Sequence, residues 1–98
     1  KNIWVQGAGA WGTALAQMLA RKGHRVTLYA RDPALSAMIS TTRENGKYLP
    51  GIRLHEHLVA TADPAVVATA DMIVLATPAQ YFRQALLDLA ARLSGHAV

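Results

Sequence analysis

Gly7-Ala8-Gly9-Ala10-Trp11-Gly12 is the stretch whose residue types and spacing could do chemistry. It follows the apolar run Ile3-Trp4-Val5 and opens a helix-patterned segment, the setting in which G-x-G-x-x-G reads as a dinucleotide-binding turn. The first glycine allows a tight turn, the second lets the backbone approach a pyrophosphate, and the third lets the helix sit close to the strand. The helix start then offers N–H groups and a positive dipole end to phosphates. A purely structural glycine turn is the alternative.

A second position selects among dinucleotides. An acidic residue about 20 positions beyond the glycines would bind the ribose 2′-hydroxyl of NAD. This chain has Arg31 there. Its planar fork of donors suits the 2′-phosphate of NADP, so NADP is the favoured cofactor and NAD the other. Stacking on adenine, or facing solvent, is the competing use of Arg31. Asp32 follows directly, but its better use is to cap the next helix. Trp11 has two uses: its ring as the first residue of a buried helix stripe, and its backbone N–H beside the pyrophosphate. Thr77-Pro78-Ala79-Gln80-Tyr81 follows the apolar run 72–76. Ligands of open α/β sheets bind beyond the carboxyl ends of the strands, so this turn should face the nicotinamide side. Pro78 at a helix start and Tyr81 as a packing residue are equally explained by structure.

Other candidates carry less. His55-Glu56-His57 lacks the helical H-E-x-x-H spacing and has no third ligand nearby, so a solvated loop outweighs a metal site. His24 falls at a helix–strand turn, and His96 lies near the end. No nucleophile–base pair is recognisable. Lys1, Lys22 and Lys47 sit at the start, at a helix end and in a loop. No catalytic residue is assigned within the chain.

The elements that must position these groups read off in order. Residues 2–6 form a strand, and residues 10 to about 22 a helix with Trp11, Leu15, Met18 and Leu19 as its buried stripe. Gly23 is its left-handed cap, and residues 25–30 are the second strand. Asp32-Pro33, Asp63-Pro64 and Thr77-Pro78 each set an N-capping oxygen before a proline at the first helical position. The first leads a helix to about residue 40 with Leu35, Met38 and Ile39 inward. The second leads a short helix to about residue 69. The third leads a helix to about residue 93 with Phe82, Leu86, Leu89 and Leu93 on one stripe, and Gly95 after it. Residues 41–57 are a loop with Asn45-Gly46 and Pro50-Gly51 turns. Residues 58–61 are a short strand, and residues 72–76 read as a parallel strand covered on both faces. This β-α-β order predicts a doubly wound parallel α/β sheet.

Composition sets the limits. Ninety-eight residues, 52% of them apolar, make one small domain with a core. No run of about 18 apolar residues would span a membrane, and no secretory signal pattern is visible. Cysteine is absent, which excludes disulfide and thiolate chemistry and leaves the compartment open, cytoplasm being the default. The net charge of +4 is scattered. With no basic run or basic–aromatic interleaving it does not suggest nucleic acid, but it suits an anionic ligand such as a phosphate ester. The chain starts at Lys1 and ends on His96-Ala97-Val98, which reads like the opening of another buried strand. The expectation is a fragment of a longer protein.

Taken together, Gly7-Ala8-Gly9-Ala10-Trp11-Gly12-Thr13-Ala14-Leu15-Ala16, then Gly23-His24 before the second strand, resemble the start of NAD(P)-dependent glycerol-3-phosphate dehydrogenases. Arg43-Glu44-Asn45-Gly46-Lys47-Tyr48-Leu49-Pro50-Gly51 resembles that family's R-x-N-x-x-Y-L-P-G signature, and Thr77-Pro78-Ala79-Gln80 its proline turn. The resemblance implies a Rossmann-type NAD(P)-binding domain over residues 1–98, cut before its last strands and before a helical second domain. It implies reversible reduction of dihydroxyacetone phosphate to sn-glycerol 3-phosphate, a product that feeds phospholipid synthesis. The family's lysine after the next strand would lie beyond Val98. By the same likeness Gly7, Gly9, Ala10, Trp11, Gly12, Arg31, Tyr48, Pro78 and Tyr81 are the cofactor-binding positions. A homodimer stays open. Two departures stand out: Gln6 before the motif, and Leu54-His55 where the family has Leu-Pro. Competing readings are another NADP-dependent reductase, such as a ketopantoate reductase or a hydroxyacid dehydrogenase, and a non-catalytic nucleotide-sensing module. The Tyr48-Leu49-Pro50-Gly51 loop argues against the other reductases.

Overall fold

The computed structural model describes residues 1–77 and 79–93. At its centre runs β1 (Asn2–Gln6). Ile3, Trp4 and Val5 are each at most 2% exposed, as a parallel strand covered on both faces requires. On one side β1 pairs with β2 (Arg25–Tyr29), which pairs in turn with β3 (Leu58–Thr61); on the other it pairs with β4 (Met72–Leu75). All pairings are parallel and the order is β3-β2-β1-β4. The chain therefore steps outward through β1, β2 and β3 and then returns to the far side of β1. That reversal opens a crevice beyond the carboxyl ends of β1 and β4, where such sheets bind ligands.

Side-chain alternation divides the core in two. Ile3, Val5, Val26 and Leu28 face α1 (Ala10–Arg21) and α2 (Pro33–Thr42), joined by Ala16, Ala20, Leu35, Ile39 and Leu54. Trp4 faces the other way, onto Val67 of a 3-10 helix (Pro64–Thr69) and Leu89 of α3 (Ala79–Leu93). Its ring stacks on Tyr29 at 5.3 Å, and its indole N–H donates to Gln6 Oε1 at 2.7 Å. A buried indole needs such an acceptor, which accounts for a glutamine just before the glycine turn.

The caps expected at Asp32 and Asp63 are present. Each carboxylate accepts from the backbone N–H two residues on, Ala34 at 2.9 Å and Ala65 at 3.0 Å. Gly23, at φ +99°, closes α1. Its N–H donates to Ala20 O and that of His24 to Leu19 O, the paired bonds of a Schellman motif. Pro78, and with it the cap of Thr77-Pro78, lies outside the described residues, as do Gly95, His96, Ala97 and Val98.

The buried stripes differ from expectation. On α1, Trp11 is 70% and Met18 47% exposed, and Leu15 and Leu19 are half-buried; Gly12, Thr13, Ala16 and Ala20 are the buried residues. The cause is the close approach at Gly12, where a Cβ would overlap the Gly7 carbonyl oxygen and meet Ala76 Cβ at 3.2 Å. That contact fixes the rotation of the helix, and a helix so near the sheet fits only small side chains against it. On α2, Leu35 and Ile39 are buried but Met38 is exposed. They are one turn apart on the sheet-facing side, and Met38 falls outside that line. On α3, Ala85 and Leu89 are buried while Leu86 is exposed; the side chains of Phe82 and Leu93 are outside the description. The small Ala85 lets that helix sit on Trp4's side of the sheet. Met72, on β4, is exposed and the rest of that strand half-buried, because among the described residues β1 is its only strand partner.

Candidate functional site: a glycine-lined cleft at the sheet's carboxyl edge

The turn after β1 is built by three glycines with three different causes. Gly7 sits at φ +117°, and a Cβ there would also meet Ala76 O at 2.9 Å. Both the backbone angle and the neighbouring strand end demand glycine. Gly12 is set by the overlap described above. Gly9 is different: its φ is −74°, and a Cβ would meet nothing within 4 Å. Among the described residues nothing requires a glycine at Gly9. A ligand backbone or phosphate passing close by would. Gly9 is also the N-cap of α1 and has no side chain with which to cap it, and no acidic residue occupies the first turn. The helix therefore presents N–H groups and a positive dipole end to the cleft.

A second wall comes from the long loop between α2 and β3. Arg43, at φ 60° and ψ 32°, ends α2 and donates through Nη2 to Leu58 O at 2.7 Å and to His55 O. Gln17 of α1 binds the same loop, accepting from the His55 N–H at 2.7 Å and donating to Arg53 O at 3.1 Å. Asn45 is fully buried. Its Nδ2 donates to Ala8 O at 2.9 Å and Thr13 Oγ1 at 2.8 Å, and its Oδ1 accepts from the Tyr48 N–H at 3.2 Å. The loop is thereby tied to the glycine turn, and it carries Lys47 and Tyr48 to the cleft. Sequence pattern showed Asn45 only as a turn residue and within the R-x-N-x-x-Y-L-P-G match. Its bonds cross 32 and 37 residues, a separation that no local periodicity reports.

The resulting cleft has a volume of about 600 Å³. Gly7, Gly9, Ala10, Trp11, Gly12, Arg31, Tyr48 and Tyr81 all line it; of the candidate positions, only Pro78 is outside the described residues. Lys47 also lines it, with Nζ 5.1 Å from the Tyr48 ring centroid, and is the wall cation that spacing did not single out. Arg31 borders this cleft and a neighbouring one of about 500 Å³ on the Tyr29 side. Among the described residues its guanidinium has no hydrogen-bond or ion-pair partner. Asp32 lines the same cleft, and its Oδ1 accepts the α2 capping bond from the Ala34 N–H at 2.9 Å. The Trp11 ring lies open on the cleft rather than in the core.

His55 and His57 bond to each other within the loop. The His57 N–H donates to His55 Nδ1 at 3.0 Å and the rings meet edge-on at 4.8 Å. No group of three ligating side chains exists among the described residues. The described helices include none long and apolar enough to cross a membrane.

The donor set fits a dinucleotide: a glycine whose Cβ position is vacant, an uncapped helix start and two cations on one cleft. Comparison with known proteins agrees. The chain is 48% identical over 94 residues to a glycerol-3-phosphate dehydrogenase [NAD(P)+] of Parvibaculum lavamentivorans, covering 96% of this chain and 28% of that protein. It is 50% identical over 90 residues to the enzyme of the same name from Caulobacter vibrioides, covering 92% and 27%. The crystal structure of glycerol-3-phosphate dehydrogenase from Coxiella burnetii superposes with a TM-score of 0.86 at 31% identity, over 92% of this chain and 28% of that one. The Saccharomyces cerevisiae enzyme gives 0.78 at 32%, over 99% and 30%. The chain thus spans little more than a quarter of these relatives. The family model described as NAD-dependent glycerol-3-phosphate dehydrogenase N-terminus matches residues 2–98, and the chain belongs to that family.

Proposed function

We propose that this chain holds the dinucleotide for an NAD(P)H-dependent, reversible reduction of dihydroxyacetone phosphate to sn-glycerol 3-phosphate. The observation that carries the proposal is the junction of two walls: the glycine turn and the loop bearing Lys47 and Tyr48, joined through buried Asn45. The hydride chemistry is what a bound nicotinamide supplies. The chain's own residues bind and orient. Gly7, Gly9, Ala10, Trp11 and Gly12 would offer backbone N–H groups to the pyrophosphate, and Tyr48, Tyr81 and Pro78 would flank the cofactor. Arg31 would read the 2′-phosphate, making NADP the preferred dinucleotide. That preference rests on a guanidinium at the end of β2 that has no partner among the described residues and on Asp32 being held by its helix cap. A role in supplying glycerol phosphate for phospholipids, in the cytoplasm, follows from the same reading.

Titration of the chain with NADPH and NADH, followed by tryptophan fluorescence, tests the binding. No saturable change with either dinucleotide overturns it. Oxidation of NADPH on addition of dihydroxyacetone phosphate tests the activity. These 98 residues alone are expected to give none, and a chain of the relatives' length is expected to give it.

A further inference from the structure

The bond from Asn45 Nδ2 to the Ala8 carbonyl has a consequence for the turn it holds. Tyr48 fixes the side-chain amide: its N–H bonds Asn45 Oδ1 at 3.2 Å, so the nitrogen faces Ala8 O at 2.9 Å and Thr13 Oγ1 at 2.8 Å. Asn45 is 0% exposed, so the Ala8 carbonyl is drawn inward. A trans peptide is planar, with its C=O and N–H pointing in opposite directions, and no cis bond occurs among the described residues. Pulling the Ala8 oxygen toward the core turns the Gly9 N–H outward. Outward from Gly9 is the cleft, where its Cβ position is vacant to 4 Å. Among the described residues no acceptor meets the Gly9 N–H.

We infer that Asn45 is a positioning residue that aims the Gly9 N–H at a phosphate oxygen of the bound dinucleotide. Asn45 does not touch the ligand; it acts by holding one peptide plane. The amide's bond to the Tyr48 N–H keeps it in the orientation that can do this, while its bond to Thr13 Oγ1 adds only to the stability of the buried site. The inference rests on the cleft being a dinucleotide site.

The test uses the full chain with NADH as the probe. Asn45→Ala frees the Ala8 carbonyl, and Thr13→Val removes a bond of the same amide without releasing Ala8. Asn45→Ala should weaken NADH binding by about tenfold, the scale of one hydrogen bond to a charged group. Thr13→Val should leave it within about twofold, since hydrogen-bond loss alone acts mainly on stability. In wild type the Gly9 amide resonance should move downfield on NADH addition, and in Asn45→Ala that movement should be lost. A purely structural role for Asn45 would leave the Gly9 response intact in whatever fraction stays folded. Should Asn45→Ala not fold, Asn45→Asp fills the same volume and keeps the bond to the Tyr48 N–H while setting an oxygen against Ala8 O; the same losses are expected. Wild-type affinity and an unchanged Gly9 shift in the folded Asn45 variant overturn this inference alone. Absence of NADH binding by wild type overturns the dinucleotide reading and this inference with it.

Discussion

Alanine at Gly9 and alanine at Gly12 should have opposite effects, although both replace a glycine of one motif. At Gly12 the new methyl would overlap the Gly7 carbonyl oxygen and crowd Gly7 C at 3.0 Å and Ala76 Cβ at 3.2 Å. Two of those neighbours are backbone, which cannot rotate away, so α1 must lift from the strand. Overpacking of this kind costs about 1–3 kcal/mol, and backbone collision places Gly12→Ala at or above the top of that range. A domain of this size has about 5–15 kcal/mol in total, and each kcal/mol shifts Tm by about 4–8 °C. Gly12→Ala should therefore lower Tm by more than about 12 °C.

Gly9→Ala meets none of this. Its φ of −74° suits alanine and the Cβ position is vacant to 4 Å. Alanine is a poorer N-cap than glycine, by about 0.5–1 kcal/mol, but it also restricts the unfolded chain by about 0.4–1 kcal/mol. The two nearly cancel, so Tm should stay within about 5 °C. Affinity is another matter, because under the proposed function the methyl would occupy the space a pyrophosphate needs. NADH binding should weaken by at least about tenfold, or about 1.4 kcal/mol. Thermal unfolding followed by far-UV circular dichroism reads stability, and fluorescence titration reads Kd. A Gly9→Ala protein as unstable as Gly12→Ala would show that the vacancy is not real. Unchanged affinity in Gly9→Ala would show that no ligand passes there.

Other substitutions test neighbouring claims. Arg31→Ala should weaken NADPH by about ten- to a hundredfold, as for one or two hydrogen bonds to a charged group, and leave NADH nearly unchanged; an unaltered affinity ratio would remove Arg31 from 2′-phosphate recognition. Asp32→Ala should lower stability by about 1 kcal/mol through its lost cap, measured by urea unfolding, without changing that ratio. Trp11→Ala should alter stability by less than about 0.5 kcal/mol, since its ring is 70% exposed; a larger loss would return the ring to the core. Trp4→Ala should cost about 3–5 kcal/mol, because the ring is 1% exposed and anchors the smaller core.

What the sequence disclosed divides along a physical line. Features settled within a few residues were legible. β1 announced itself by an apolar run, α2 and the 3-10 helix by an aspartate before a proline, and the end of α1 by Gly23. Each depends on backbone angles or on a bond spanning two to five residues. The direction of α1 was not legible. A pattern read by size and hydrophobicity points Trp11 and Met18 inward, yet a helix held at the Gly12 contact must turn its small residues to the sheet. The large side chains then remain for the outer surface and the cleft.

That inversion joins the fold to the site. Close contact at Gly12 needs Ala16 and Ala20 beneath α1, and those small residues leave Trp11 free to border the cleft. The same turn of the helix places Thr13 inward, where its hydroxyl accepts from Asn45. Asn45 in turn holds Ala8, and its partner loop brings Lys47 and Tyr48 across from Arg31. One steric contact thus sets both the rotation of the helix and the attachment of the second wall. A side chain at Gly12 should disturb not only stability but the spacing between the cations of the cleft. Residual binding in Gly12→Ala should accordingly lose the proposed discrimination between NADPH and NADH, even where the protein remains folded. A folded Gly12→Ala protein that kept the wild-type preference would separate the two walls and refute their coupling.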